Sequence, residues 1–238
     1  VADQRMDAGL TVFGEDHSAF VTPQHHACWI DSGRLPDGTR VFEDPLPEGI
    51  GNSAKNTMEQ IEIVELVKKL AAACRLAKTK KTLGIICFYR QQVREIKKRL
   101  RDIRKAGTCD LSYLSYTVNT VDRFQGQERN IIICSLTRSK PNPEKISTFV
   151  KAFERINVAF SRAQQLLFIV GAAETYREIA VPLPRLDAEG TITTKVYGSI
   201  LQHLEEQGCV FPSSRLIGRR ALEQLQKELQ TRKGRLSA

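Results

Sequence analysis

A short polar crossing squeezed between two strand-like runs constrains this chain more than any other stretch. Residues 113–121 are rich in Tyr, Val and Thr, which suit a pleated, half-buried surface. Residues 131–136 (Ile-Ile-Ile-Cys-Ser-Leu) form a continuous apolar run, as expected of a strand covered on both faces. Between them stand Asp122, Arg123, Gln125, Gln127, Glu128 and Arg129, with Gly126 allowing close backbone approach. So many long polar side chains at one tight crossing point to a ligand-facing segment, not to an ordinary loop.

The rest of the chain alternates strand and helix patterns around that crossing. Residues 26–31 (HACWID) read as a first strand, and 32–51, rich in Gly, Pro and acidic residues, as a long surface loop. Ser53 is placed to cap a helix over 54–77, with Met58, Ile61, Val64, Leu66, Val67, Leu70 and Cys74 inward and Glu and Lys outward. Leu83–Phe88 is a buried strand. Arg90–Arg104 is a helix with Val93, Ile96, Leu100 and Ile103 inward. After the crossing come a loop with Pro141 and Pro143, a helix over 153–163, a strand over 166–170 and a short helix over 173–180. Such alternation implies an α/β fold, a parallel sheet with helices on both faces and ligands at strand ends. The expected organisation is an irregular leading segment (1–25), this α/β domain (26–180), and a linker with a helical basic tail (181–238), its helices over 194–206 and 218–232.

Three segments carry a family resemblance. Thr120–Glu128 (TVDRFQGQE), followed by a strand and Thr137-Arg138-Ser139, resembles motif V of superfamily 1 helicases, in the branch of the nonsense-mediated-decay RNA helicases. Glu154–Ala163 (ERINVAFSRA), followed by Leu166–Gly171, resembles motif VI, and Gly84–Val93 (GIICFYRQQV) is similar to motif IV. Three motifs in family order are specific where one alone is weak. The match runs over about 26–172, and Asn56 also stands where that family has an Asn at a helix start. Some positions depart from the pattern. Ser161 replaces a usual Thr, Glu154 precedes Arg155 where a second basic residue is common, and Asn130 stands where an acidic residue is common.

The resemblance implies a second RecA-like domain, one that reaches across a cleft to ATP and Mg2+ held by an N-terminal RecA-like partner domain. On that basis Arg90 and Arg162 are expected as arginine fingers, since a guanidinium is always charged and can grip two phosphate oxygens. Tyr89 is expected to stack on adenine. Gly126 and Glu128 would approach ribose and γ-phosphate, and Gln125 would orient water. Thr120, Thr137, Arg138 and Ser139 are expected on the backbone of single-stranded DNA or RNA, fixing register without reading sequence. None of the fifteen glycines precedes a Lys, so no Walker A loop is present, and no apolar run ends in Asp-Glu. The chain alone is therefore expected not to hydrolyse ATP.

Charge supports a polyanionic partner. The net charge is +9, and residues 78–105 alone hold eleven Lys or Arg against Glu95 and Asp102. The six cysteines lack CxxC spacing and the four histidines lack ligand-like spacing, which predicts buried free thiols in a reducing intracellular compartment and no zinc site. The longest apolar run, Leu166–Val170 with Gly171-Ala172-Ala173 behind it, is too short to span a bilayer. Starting at Val1, the chain reads as a fragment. A helicase motor domain is the leading reading. A catalytically inert nucleic-acid- or protein-binding module and a structural scaffold are the alternatives.

Overall fold

The continuous apolar runs become the central strands of a parallel sheet. The computed structural model describes residues 8–45, 53–142, 146–185, 189–218, 221–223 and 225–226. In chain order the main elements are β3 (Ala27–Asp31), α1 (Thr57–Leu76), β4 (Lys81–Cys87), α2 (Arg90–Lys105), β5 (Leu114–Thr120), α3 (Val121–Phe124), β6 (Arg129–Ser135), α4 (Phe153–Ser161), β7 (Ala163–Gly171), α5 (Ala173–Arg177), α6 (Val196–Glu206) and β10 (Val210–Pro212). Hairpin β1–β2 (Val12–Phe13 and Ala19–Val21) precedes them, and hairpin β8–β9 (Val181–Pro184 and Thr191–Thr194) lies between α5 and α6. The sheet order is β10-β3-β7-β6-β4-β5, and every pairing is parallel. This is the parallel α/β sheet that the alternation implies, in the RecA-like architecture that the family resemblance implies.

Helices α1 and α2 pack on each other over one face. The other carries α3 against α4 and α5 against α6, tied by the edge-on ring pairs Phe160–Tyr197 and Tyr176–Tyr197. That division follows from right-handed crossovers: β3–α1–β4 and β4–α2–β5 step one way along the sheet, and later connections step back. The central strands are buried throughout, Ile131, Ile132, Ile133, Cys134, Phe168, Ile169 and Val170 being fully covered.

Several local expectations change. The cap of α1 is Asn56, not Ser53; the Asn56 side chain accepts the Glu59 N–H at 3.3 Å. Glu59 and Glu62 do not face solvent with the lysines but are fully buried beneath the sheet's carboxyl edge. The leading segment is not irregular over its described part, since Leu10, Val12, Phe20 and Val21 sit in the core through the β1–β2 hairpin. Beyond 181 the chain returns to the sheet as β10. Of the expected helix over 218–232, residues 221–223 and 225–226 are helical, 218 is not, and 219–220, 224 and 227–232 lie outside the described residues, as do Pro143 and residues 46–51 of the expected loop.

Candidate functional site

The polar crossing runs from the carboxyl edge of the sheet, where β5 ends at Thr120, back to the amino edge, where β6 begins at Arg129. Its anchor is Phe124, fully buried on β4 over Gly84. A Cβ at Gly84 would lie 2.8 Å from the Phe124 ring and 2.6 Å from Ile132 Cδ1. The chain then turns through Gly126 at φ +77°, a conformation suited to glycine. Gln127 N–H closes the turn on Phe124 O at 3.0 Å.

At the amino edge this turn meets the end of α4. Gln164 Nε2 donates to Glu128 at 3.4 Å, Asn130 Nδ2 donates to Gln164 at 3.1 Å, and Arg129 N–H donates to the Arg162 carbonyl at 3.1 Å. Among the described residues the Arg162 guanidinium has one bond, to Ser161 Oγ at 3.0 Å, and no carboxylate partner, and its Nε is buried without an acceptor. Arg155 and Val158, two turns and one turn before Arg162 on the same side of α4, line a cleft of about 260 Å3 with Val121, Asp122, Gln125 and Glu154. Arg155 is held there by Asp122 at 3.1 Å, its guanidinium 3.9 Å above the Phe149 ring. Glu128, with the Gly126 turn before it, and Arg162 thus share the amino end of the sheet, while Gln125 lines the cleft with Asp122 and Arg155, whose Phe149 partner packs on Tyr89.

Arg90 lies at the other end. It opens α2 beyond the carboxyl end of β4, whereas Arg162 precedes the first residue of β7. Register through Leu83, Ile131 and Leu166 sets Arg162 level with Lys80, seven positions before Cys87, or about 23 Å along the strands. Two arginine side chains cannot close that distance onto one phosphate. The expected pair of fingers is corrected to one candidate, Arg162.

The carboxyl edge also differs from expectation. Tyr89 is only 5% exposed, covered by Phe149 (centroids 5.6 Å) and by the Arg138 guanidinium (5.4 Å), so it presents no free face to an adenine. Thr137 and Ser139 are buried. Ser139 Oγ donates to Val41 O at 3.1 Å, its N–H bonds Glu43, and Thr137 Oγ1 lies 3.4 Å from Ser135 Oγ. Neither offers a free group to a nucleic-acid backbone. Arg138 pairs with Glu43 at 3.0 Å. Thr120 remains partly exposed, with no capping bond from its side chain.

Beneath this edge lies a buried polar hub that sequence periodicity did not reveal. Gln92 accepts from Asn56 N and Gln60 Nε2 (both 3.0 Å) and donates to Ser135 Oγ at 3.0 Å. Glu59 takes the Ser135 hydroxyl at 2.6 Å and the Thr137 N–H on both oxygens. Burial drives the Glu59 carboxyl up to about 8 against these bonds, and drives Glu62 well above the usual range. The one available signal was Asn56, followed three residues on by Glu59 at a helix start.

The amino-edge set fits part of a nucleotide site, with an arginine lacking a carboxylate partner and an exposed glutamate beside a glycine turn. It has no clustered carboxylates for Mg2+. Among the described residues the one gathering of three metal-ligating side chains is His25, Cys28 and Cys209, which the chain's spacing did not suggest. The basic surface is α2: Arg94, Lys97, Lys98, Arg101, Arg104 and Lys105 are exposed, and none has an ion-pair partner among the described residues. No helix among those residues is long and apolar enough to cross a membrane.

Comparison with known proteins agrees with the sheet and the motifs. The chain is 30% identical over 154 residues to the DNA replication ATP-dependent helicase/nuclease DNA2 of Xenopus laevis, covering 64% of this chain and 13% of that protein. It is 29% identical over 171 residues to Helicase sen1 of Schizosaccharomyces pombe, covering 65% and 10%. Against DNA polymerase alpha-associated DNA helicase A of Saccharomyces cerevisiae it is 37% identical over 94 residues, covering 39% and 12%. The chain thus spans about an eighth or less of the length of each. The sequence model of the AAA domain family (AAA_12) matches residues 4–174, from ahead of the β1–β2 hairpin into α5, and the chain belongs to that family, as a domain of the superfamily 1 helicase type.

Proposed function

We propose that this chain is the second motor domain of an ATP-dependent helicase, supplying Arg162 to the phosphates of an ATP held by an N-terminal RecA-like domain. The observation that carries the reading is the Arg162 guanidinium, without a carboxylate partner among the described residues, at the edge where Glu128 and the Gly126 turn also stand. Bound ATP with Mg2+ would supply the phosphoryl group for transfer to water. The part of this chain is to stabilise charge on the transferring phosphoryl oxygens through Arg162 and to hold Glu128 and Gln125 near the nucleotide. Movement along a strand needs open and closed states that differ in nucleic-acid affinity. The α2 face is the surface suited to a phosphodiester backbone, because its exposed cations have no ion-pair partner among the described residues. The names of the similar proteins, which include a DNA helicase/nuclease and other helicases, support single-stranded nucleic acid as the partner. ATPase turnover of the full-length protein carrying Arg162→Ala tests the reading: turnover is lost while single-strand affinity is kept, and unchanged turnover refutes it.

A second reading is a binding module without turnover. It is favoured by the burial of Tyr89, Thr137 and Ser139, three of the expected ligand contacts. Absence of ATPase activity in the full-length protein, with salt-dependent strand binding intact, would select it.

A further inference from the structure

Far from the motifs, at the seam between β3 and β10, the fold assembles a set of soft and borderline metal donors. His25 lies in the turn leading into β3, Cys28 is on β3, and Cys209 immediately precedes β10. Their ligand atoms all lie within 4.8 Å of one another. The placement follows from strand pairing. Val210 is in register with Trp29, and Trp29 N–H donates to Cys209 O at 2.8 Å, so Cys209 faces Cys28 across the two parallel strands. Both thiols are buried, at 0% and 2% exposure, and His25 is partly exposed, which leaves a route to solvent.

We propose that His25, Cys28 and Cys209 bind one Zn2+ ion, with solvent in the fourth position of a tetrahedron. Two thiolates and an imidazole are the donors that zinc prefers, and a hard cation such as Mg2+ would refuse them. His25 Nδ1 accepts the Thr22 N–H at 3.3 Å, so ligation through that nitrogen would replace this one long hydrogen bond. Binding releases the thiol protons to solvent, and the ion forms two Zn–S bonds and one Zn–N bond with no change of oxidation state.

The physical consequence is a clasp. Strand β10 is three residues long and lies at the sheet edge, and Cys209 lies beyond the residues that the family model matches. Metal at this seam ties the segment after α6 to β3 and stabilises the folded chain by mass action. The inference does not depend on the helicase reading.

The test uses the full chain, stripped of metal and kept reduced, titrated with Co2+ as a spectroscopic stand-in for Zn2+. One Co2+ per chain should bind with a thiolate-to-metal charge-transfer band, and Zn2+ should displace it and raise Tm. Cys28 is fully buried, so the diagnostic variants are Cys209→Ser and His25→Ala, each weakening Co2+ at least about tenfold. The Tm gain with Zn2+ should vanish in Cys209→Ser. A reduced wild-type chain that shows no charge-transfer band at saturating Co2+ overturns the proposal. So does a band of equal strength in Cys209→Ser, or a Cys28–Cys209 disulfide whose reduction yields a protein that takes no metal.

Discussion

Thr137 donates its main-chain N–H to both carboxylate oxygens of Glu59, at 2.9 and 2.8 Å, and does so in the left-handed region at φ +70°. A β-branched residue there is an outlier that costs about 1–3 kcal/mol, and it persists because the hub beneath it dictates the turn. Glu59 is the residue that fixes it, and burial raises its carboxyl to about 8. The folded chain therefore keeps a proton that the unfolded chain has released, and stability falls as pH rises from the ordinary carboxyl value of 4.5 through about 8. Glu59→Gln keeps the shape and removes the titration. Denaturant unfolding across that window should show the slope of stability against pH reduced by about 1.4 kcal/mol per pH unit, leaving the part due to Glu62. An unchanged slope would mean that Glu59 is ionised in the fold.

The separation of Arg90 from Arg162 by about 23 Å of strand gives a paired prediction. A finger arginine is worth about 10^3-fold or more in turnover, because its charge meets the transferring phosphoryl oxygens directly. Arg162→Ala should lower the ATPase rate of the full-length protein by at least that factor, whereas Arg90→Ala should change it less than about threefold. Arg90 at the start of α2 is exposed, and its replacement leaves the core untouched. Equal losses in the two variants would contradict the geometry.

On α2, Lys97 and Arg101 are one turn apart, exposed and without ion-pair partners among the described residues. If a single strand lies on this face, each contributes one phosphate contact, and each contact adds about 0.7 to the slope of log affinity against log salt. The double variant Lys97→Ala/Arg101→Ala should flatten that slope by about 1.4 while leaving the far-ultraviolet circular dichroism unchanged. Retention of the full slope would assign the basic face to solvent.

How much of this was legible in the sequence follows from what each pattern can encode. The runs Ile131–Leu136 and Leu166–Val170 announced central strands because burial on both faces leaves no choice of residue type. The inward face of α2 at Val93, Ile96 and Leu100 was equally readable from a helical period. Glu59 and Glu62 break the pattern for α1, since periodicity sorts by polarity and a carboxyl group that accepts from Ser135, Thr137 or Ser213 can be buried. The resemblance to motifs names site residues but carries no statement of depth, and Tyr89, Thr137 and Ser139 are covered through their contacts with Phe149, Glu59 and Val41. The His25, Cys28 and Cys209 cluster was invisible for another reason. It is made by strand order, which places β10 beside β3 across most of the chain.

Gly84 joins the sheet to the site. It faces the underside of α3, where Phe124 is fully buried, and the absence of a side chain lets the ring settle onto β4 beside Ile132. A methyl group there would come within 2.6 Å of Ile132 Cδ1 and 2.8 Å of the Phe124 ring. Ile132 is held in the centre of the sheet between β4 and β7, so it has little room to yield, and the displacement falls on α3. Since α3 leads directly into Gln125, Gly126 and Glu128, lifting Phe124 moves the turn that faces the candidate nucleotide site. Gly84→Ala should destabilise the chain by about 1–3 kcal/mol by overpacking. It should also lower ATPase turnover of the full-length protein well beyond what the lost stability explains. Phe124→Leu in the Gly84→Ala background, which trades the ring for a smaller side chain, should recover part of both. A Gly84→Ala protein with normal Tm and normal turnover would show that α3 does not rest on β4 as described.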